Sequence, residues 1–157
     1  MARSRVQTYH FCPFYLRVMP TTTLPAKLQA YVDELGSLDK LTRTMLLLDY
    51  ADTLGDYPEE GKLDVYLVPG CVSRVWLDAR CRDGVMRFRA AAEGQIAQGM
   101  VAMLVNGLDG ETPETVLAVD PAFIRDAGLA ESLTPARQGG LASMLQKMQQ
   151  AAAPHAR

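Results

Sequence analysis

Residues 63–89 read Leu-Asp-Val-Tyr-Leu-Val-Pro-Gly-Cys-Val-Ser-Arg-Val-Trp-Leu-Asp-Ala-Arg-Cys-Arg-Asp-Gly-Val-Met-Arg-Phe-Arg. The hydrophobic period in this stretch is two. Leu63, Val65 and Leu67 fall on one face of an extended chain, and Pro69-Gly70 ends the run. Residues 72–80 read as a second strand, with Val75 and Leu77 on one face and Trp76 on the other. Asp83-Gly84 is a hairpin-turn pair, and a third strand follows over 85–89. Three short strands in succession predict a three-stranded antiparallel meander with one face covered by helices.

On both sides the period lengthens to that of a helix. After Pro25, the residues Leu28, Tyr31, Val32 and Leu35 share a stripe that Gly36 ends. Ser37 reads as the N-cap of a second helix, and Leu38, Leu41, Met45 and Leu48 read as its core face, with Gly55 and Pro58 beyond its end. Downstream, Ile96, Met100, Met103, Leu104 and Gly107 line a helix from about residue 94. Thr112-Pro113 and Thr134-Pro135 are cap-plus-proline starts, and Asp120-Pro121 opens another short piece. Leu141, Met144, Leu145 and Met148 stripe the last helix. The eight methionines read mainly as adaptable core filler. The fold class is therefore α+β, a meander packed against several α-helices. Residues 1–18 read as an irregular extension and residues 19–157 as one domain.

Composition removes several function classes. The chain has 157 residues, 16 Lys or Arg against 18 Asp or Glu, and a net charge of −2. That balance gives no broad basic footprint, so no nucleic-acid partner is expected. No apolar stretch approaches the ~20 residues that span a bilayer, so no membrane association is expected. Cys12, Cys71 and Cys81 are an odd, widely spaced set with no Cys-x-x-Cys pair, which argues against a disulfide framework or a structural zinc site. His10 and His155, near the two ends, do not make a metal site. Free thiols imply a reducing compartment, and the expected location is the cytoplasm.

The chemistry centres on Cys71. It stands at the bend between two expected strands, where Pro69 removes a backbone donor and Gly70 tolerates conformations closed to other residues. An ordinary thiol, with a pKa of about 8.5, is only a few per cent ionised at neutral pH. Its neighbours Val68 and Val72 are apolar and would lower that fraction. The residues alone leave two readings open, a small buried hydrophobe or a thiol presented for reaction. Cys81 begins a Cys-x5-Arg string ending at Arg87, the spacing of cysteine phosphatases, but Asp83-Gly84 puts a hairpin turn where a phosphate cradle would have to lead into a helix. No dinucleotide fingerprint, Walker loop or nucleophile elbow is present.

Taken together, these residues resemble the SufE family, the sulfur acceptors of iron–sulfur cluster assembly. Gly70-Cys71-Val72-Ser73-Arg74-Val75-Trp76-Leu77 is similar to the family's Gly-Cys-x-Ser-x-Val-Trp segment. Ile96-Ala97-Gln98-Gly99-Met100 resembles its Ile-x-Lys-Gly-Leu stretch, and Asp109 to Glu114, Leu133-Thr134-Pro135-Ala136-Arg137 and Gly140 to Met144 also fit. The resemblance spans about residues 24–150. Three positions depart from the pattern: Val72 where the family often has Gln, Ala91-Ala92-Glu93 for Asp-Ser-Asp, and Gln98 for Lys. They fall on surfaces that would face the desulfurase.

What the resemblance implies is a SufE/IscU-like fold and a sulfur carrier that is not a stand-alone enzyme. A PLP-dependent cysteine desulfurase of the SufS or CsdA type would be the donor, and Cys71 would accept its persulfide sulfur. The chain would stimulate that desulfurase and pass sulfur to a SufBCD-type scaffold. It would itself hold neither cofactor nor metal, PLP residing on the partner. Gly70 would permit the turn, Ser73 would order it with a local hydrogen bond, and Arg137 and Glu93 would contact the desulfurase. Trp76 would anchor the sheet against helices. The alternative is a non-carrying regulator that only binds the desulfurase. A cluster scaffold is disfavoured by the poor placement of the three cysteines, and a free-standing thiol enzyme by the missing base.

Overall fold

The structure, a computed structural model, describes residues 24–157. The expected extension 1–18, with His10 and Cys12, lies outside the described residues. Two helices come first, α1 (Ala26–Gly36) and α2 (Lys40–Ala51). A hairpin follows, β1 (Val75–Arg82) and β2 (Val85–Ala92), and then α3 (Gln95–Leu108). Three short helices, α4 (Pro113–Leu117), α5 (Phe123–Asp126) and α6 (Leu129–Ser132), lead into α7 (Pro135–Ala152).

The sheet has two strands, not three. β1 and β2 pair antiparallel over eight positions, from Val75 opposite Ala92 to Arg82 opposite Val85. The turn between them is Asp83-Gly84 with φ of 52° and 76°, the left-handed pair that a two-residue hairpin requires. The third strand of the sequence reading thus runs on to Ala92, and the second begins only at Val75. The expected strand 63–68 is absent. Asp64–Tyr66 forms a 3-10 turn, and Leu67 makes a single bridge to Trp76. The alternation at Leu63 and Val65 has no sheet face to bury, and both side chains stay exposed, at 53% and 71%.

Around the hairpin, α3 is the centre of the core. Ten of its residues are buried, and it meets α1, α2, α7 and β2. Met100, Met103, Met144, Met148 and Met86 are all buried, as core filler should be. The caps at Thr112 and Thr134 form as read, each hydroxyl accepting from the backbone N–H three residues on.

The second helix departs from its reading in two ways. Its N-cap is Asp39, whose carboxylate accepts from the N–H groups of Leu41 (2.9 Å) and Thr42 (3.2 Å), while Ser37 closes α1. Its buried face carries Arg43, Leu47, Tyr50 and Ala51. Leu41, Met45 and Leu48, read as core, are exposed at 70%, 57% and 37%. The cause is Arg43. Its buried guanidinium donates to the carbonyls of Leu35 (2.9 Å), Leu38 (2.5 Å) and Gly128 (2.8 Å) and to Ser132 Oγ (2.9 Å). This satisfied charge fixes which side of α2 faces inward, and the more apolar stripe is left outside.

Candidate functional site

Cys71 lies on the segment between the 3-10 turn and β1. The two ends of this segment are held together by the Val68 N–H, which donates to the Val75 carbonyl at 2.8 Å, and by the Leu67–Trp76 bridge. Between them Gly70 takes φ 78°, which turns the chain sharply and lays Cys71 against α7. The Cys71 Sγ is 3.6 Å from the Gly140 carbonyl oxygen, to which the thiol donates. A Cβ on Gly140 would stand 3.4 Å from that sulfur, so the absence of a side chain there lets the loop sit close on the helix.

The sulfur faces a pocket of mixed lining, with Leu48 of α2, Ile96 and Met100 of α3 and Met144 of α7 on its apolar part and Gln95, Ser73 and Arg137 on its polar part. The thiol is half-buried, and loss of solvent pushes it above its ordinary pKa. In the free protein it is therefore protonated at neutral pH. Iodoacetamide alkylation of Cys71 is expected to climb with pH and to level off only beyond the ordinary thiol value of about 8.5. Mapping the alkylated peptide over a pH series checks this; a plateau at or below that pH contradicts it.

Of the remaining residues singled out by the sequence, Arg137 and Ser73 share the pocket with Cys71. Arg137, exposed on the first turn of α7, lines the same pocket as Cys71. Ser73 also lines it, but its hydroxyl packs on Gly94 and makes no hydrogen bond among the described residues. Glu93 sits between β2 and α3, where its carboxylate is 3.8 Å from Arg74, itself 3.8 Å from Asp64. These exposed, long ion pairs contribute little to stability. Trp76 is buried but outside the main core cluster, with the cations of Arg74 (4.9 Å) and Lys62 (5.4 Å) over its ring. Cys81 is half-buried near the far end of β1, opposite Met86.

Gly140, which the sequence reading quotes only within the Gly140 to Met144 resemblance, and Lys147, which carries no signal there, both lie on the α7 face that carries the cysteine segment. The exposed stripe of α2 was seen but assigned to the core. In the structure Leu48 reaches the pocket beside Val72, which is 73% exposed, so the apolar rim of the Cys71 pocket continues along α2 through Met45 to Leu41. No group of three or more metal-ligating side chains converges among the described residues, and no helix there is long and apolar enough to cross a membrane.

Comparison with known proteins gives a consistent picture. The family model described as "SufE: Fe-S metabolism associated domain" matches residues 29–152. An uncharacterized SufE-like protein of Synechocystis is 37% identical over 133 residues, 84% of each chain. SufE-like protein 1 of Arabidopsis thaliana, chloroplastic/mitochondrial, is 32% identical across 88% of this chain, which spans 38% of that relative. The chloroplastic quinolinate synthase of the same plant is 39% identical over 99 residues, and the match spans 14% of its length. The solution structure of a hypothetical protein from Thermus thermophilus superposes with a TM-score of 0.74 at 30% identity, covering 85% of this chain and 98% of that one.

Proposed function

This chain belongs to the SufE family, and from that premise we propose that it carries sulfur on Cys71, taking it from a PLP-dependent cysteine desulfurase and delivering it to an iron–sulfur cluster scaffold. One observation supports the reading above the others: a half-buried thiol on a loop tied at its base, facing a pocket of mixed lining, with Ile96, Met100 and Met144 beside Ser73, Gln95 and Arg137, whose rim meets exposed apolar side chains.

The chemistry is thiol–persulfide exchange. The Cys71 thiolate attacks the outer sulfur of a cysteine persulfide on the donor. A new sulfur–sulfur bond forms, the donor's sulfur–sulfur bond breaks, and the donor cysteine leaves as a thiolate. The Cys71 proton passes to solvent or to the donor's leaving thiolate, and no external oxidant or reductant is consumed. PLP chemistry belongs to the donor. The residues of this chain keep Cys71 protonated at rest and shelter the loaded sulfur among Ile96, Met100 and Met144. They release it when a partner draws residues 69–73 outward. Arg137, at the pocket mouth, and Glu93 are offered as partner contacts.

The test is anaerobic incubation with a SufS- or CsdA-type desulfurase and free cysteine, followed by intact-mass measurement and peptide mapping. One sulfur atom is expected on Cys71, and none on Cys12 or Cys81. The rim of α2 supplies a separate prediction. A Met45→Glu, Leu48→Glu double variant alters only exposed side chains and should fold normally. It should raise the concentration needed for half-maximal desulfurase stimulation by about tenfold, as the loss of one apolar anchor does. An unchanged titration would remove α2 from the docking surface.

A further inference from the structure

Helix α7 meets the cysteine segment along one face. Gly140, Ser143, Met144 and Lys147 recur at the i, i+3, i+4 and i+7 spacing that aligns side chains on one side of a helix. The segment runs past them in order. Cys71 lies on Gly140, a Cβ on Gly70 would be 3.4 Å from Ser143 Oγ, and the 3-10 turn reaches Lys147. There the Lys147 ammonium donates to two main-chain carbonyls, Val65 at 3.2 Å and Leu67 at 3.0 Å. Lys147 stands about 10 Å along the helix from Gly140, by the rise of 1.5 Å per residue.

These contacts divide the segment into a fixed part and a movable part. Leu67 is held by Lys147 from one side and by the bridge to Trp76 from the other. Val68 is tied to Val75. The Arg74 carbonyl accepts from the Glu93 N–H at 3.0 Å, whereas residues 69–73 have no comparable anchor among the described residues. Their contacts with α7 are the weak thiol–carbonyl bond at 3.6 Å and van der Waals packing. A force that lifts the loop would peel it from Gly140 toward Lys147 and stop there.

We propose that Lys147 is a positioning residue for the reactive cysteine: its clamp on the Val65 and Leu67 carbonyls is the fulcrum about which residues 69–73 open, and it sets how often Cys71 leaves its pocket. The ammonium suits this task because it donates to two carbonyls at once and its bonds are charge-assisted. The inference rests on Cys71 being the reactive thiol. It assigns to a side chain remote from the sulfur the control of the sulfur's exposure.

The experiment measures iodoacetamide alkylation of Cys71 and Cys81 in the same full-length chain by peptide mapping. Cys81, half-buried on β1, serves as the internal reference for general loosening. Lys147→Met keeps the aliphatic stem and removes the donors. It should raise the Cys71-to-Cys81 rate ratio about tenfold, the factor expected for losing a charge-assisted hydrogen bond. Lys147→Arg, which restores the charged donors, should return the ratio towards wild type, and Lys147→Gln should fall between. A ratio that stays at the wild-type value, rises of equal size at both cysteines, or a failure of Arg to rescue would each overturn the proposal. Alkylation does not require sulfur transfer. A chain that takes no sulfur yet shows the ratio change would sink the carrier reading and leave the fulcrum standing, and the reverse result would do the opposite.

Discussion

A Cys71→Ser chain is expected to accept no sulfur from a cysteine desulfurase, while folding as the wild type does. The chemical half of this expectation is strict. A serine hydroxyl is not ionised at neutral pH and does not displace a thiolate from a persulfide, so loading should fall to background rather than by some factor. The structural half follows from the packing. Cys71 is half-buried, and its one side-chain polar contact among the described residues is a weak thiol–carbonyl bond at 3.6 Å to Gly140. A hydroxyl can keep a hydrogen bond there and leaves no large cavity, so the stability change should stay within about 1 kcal/mol. Cys81→Ser, by contrast, should load normally. The same variant separates the two readings of function. If Cys71→Ser takes up no sulfur and also fails to accelerate desulfurase turnover, the protein is a carrier whose stimulation consists of removing product sulfur. If it accelerates turnover fully, docking alone does the work and the protein is a regulator. Retained sulfur uptake would end the carrier proposal outright.

What was legible in the sequence followed from signals that need no tertiary context. Asp83-Gly84 requires two left-handed residues in succession and therefore marks the hairpin by itself. Thr112-Pro113 and Thr134-Pro135 mark helix starts because the cap hydroxyl and the ring of proline act within one turn. The bend at Pro69-Gly70 located the thiol for the same reason. What was not legible depended on partners distant in sequence. The alternation of Leu63, Val65 and Leu67 fits a strand, but whether it becomes one depends on a neighbour with free donors and acceptors. β1 offers it one bridge, and Lys147 takes the carbonyls of Val65 and Leu67 instead. The stripe of α2 was misassigned because hydrophobicity was taken to decide the inward face. Arg43 decides it, with acceptors at Leu35, Leu38, Gly128 and Ser132 that no local pattern announces. The apolar residues this leaves outside become the rim of the site, so the error in the fold and the missed part of the site have one cause.

Replacing Gly99 with alanine should cost about 3 kcal/mol of stability, although helix propensity alone predicts the opposite sign. In the middle of a 14-residue helix, glycine is about 1 kcal/mol worse than alanine, so an exposed Gly→Ala change there would stabilise. Gly99 is not exposed. It is the point where α3 crosses α2, and a Cβ built on it would collide with the backbone carbonyl of Leu47. A backbone atom cannot rotate away as a side chain can, so the two helices would have to separate. Leu47 and Met100 are both buried beside this crossing, and separation would loosen their packing. Overpacking of this kind typically costs 1–3 kcal/mol and can cost more, which exceeds the propensity gain. A net loss of about 3 kcal/mol corresponds to a fall in melting temperature of about 10 °C for a chain of this size. Thermal unfolding followed by circular dichroism measures it directly. The site should respond as well, since Leu48 of α2 and Ile96, Ala97 and Met100 of α3 all line the Cys71 pocket. Widening the crossing should therefore raise Cys71 alkylation together with the loss of stability. A Gly99→Ala chain as stable as wild type, or more so, would mean that the close approach of α2 and α3 is not what holds these walls together.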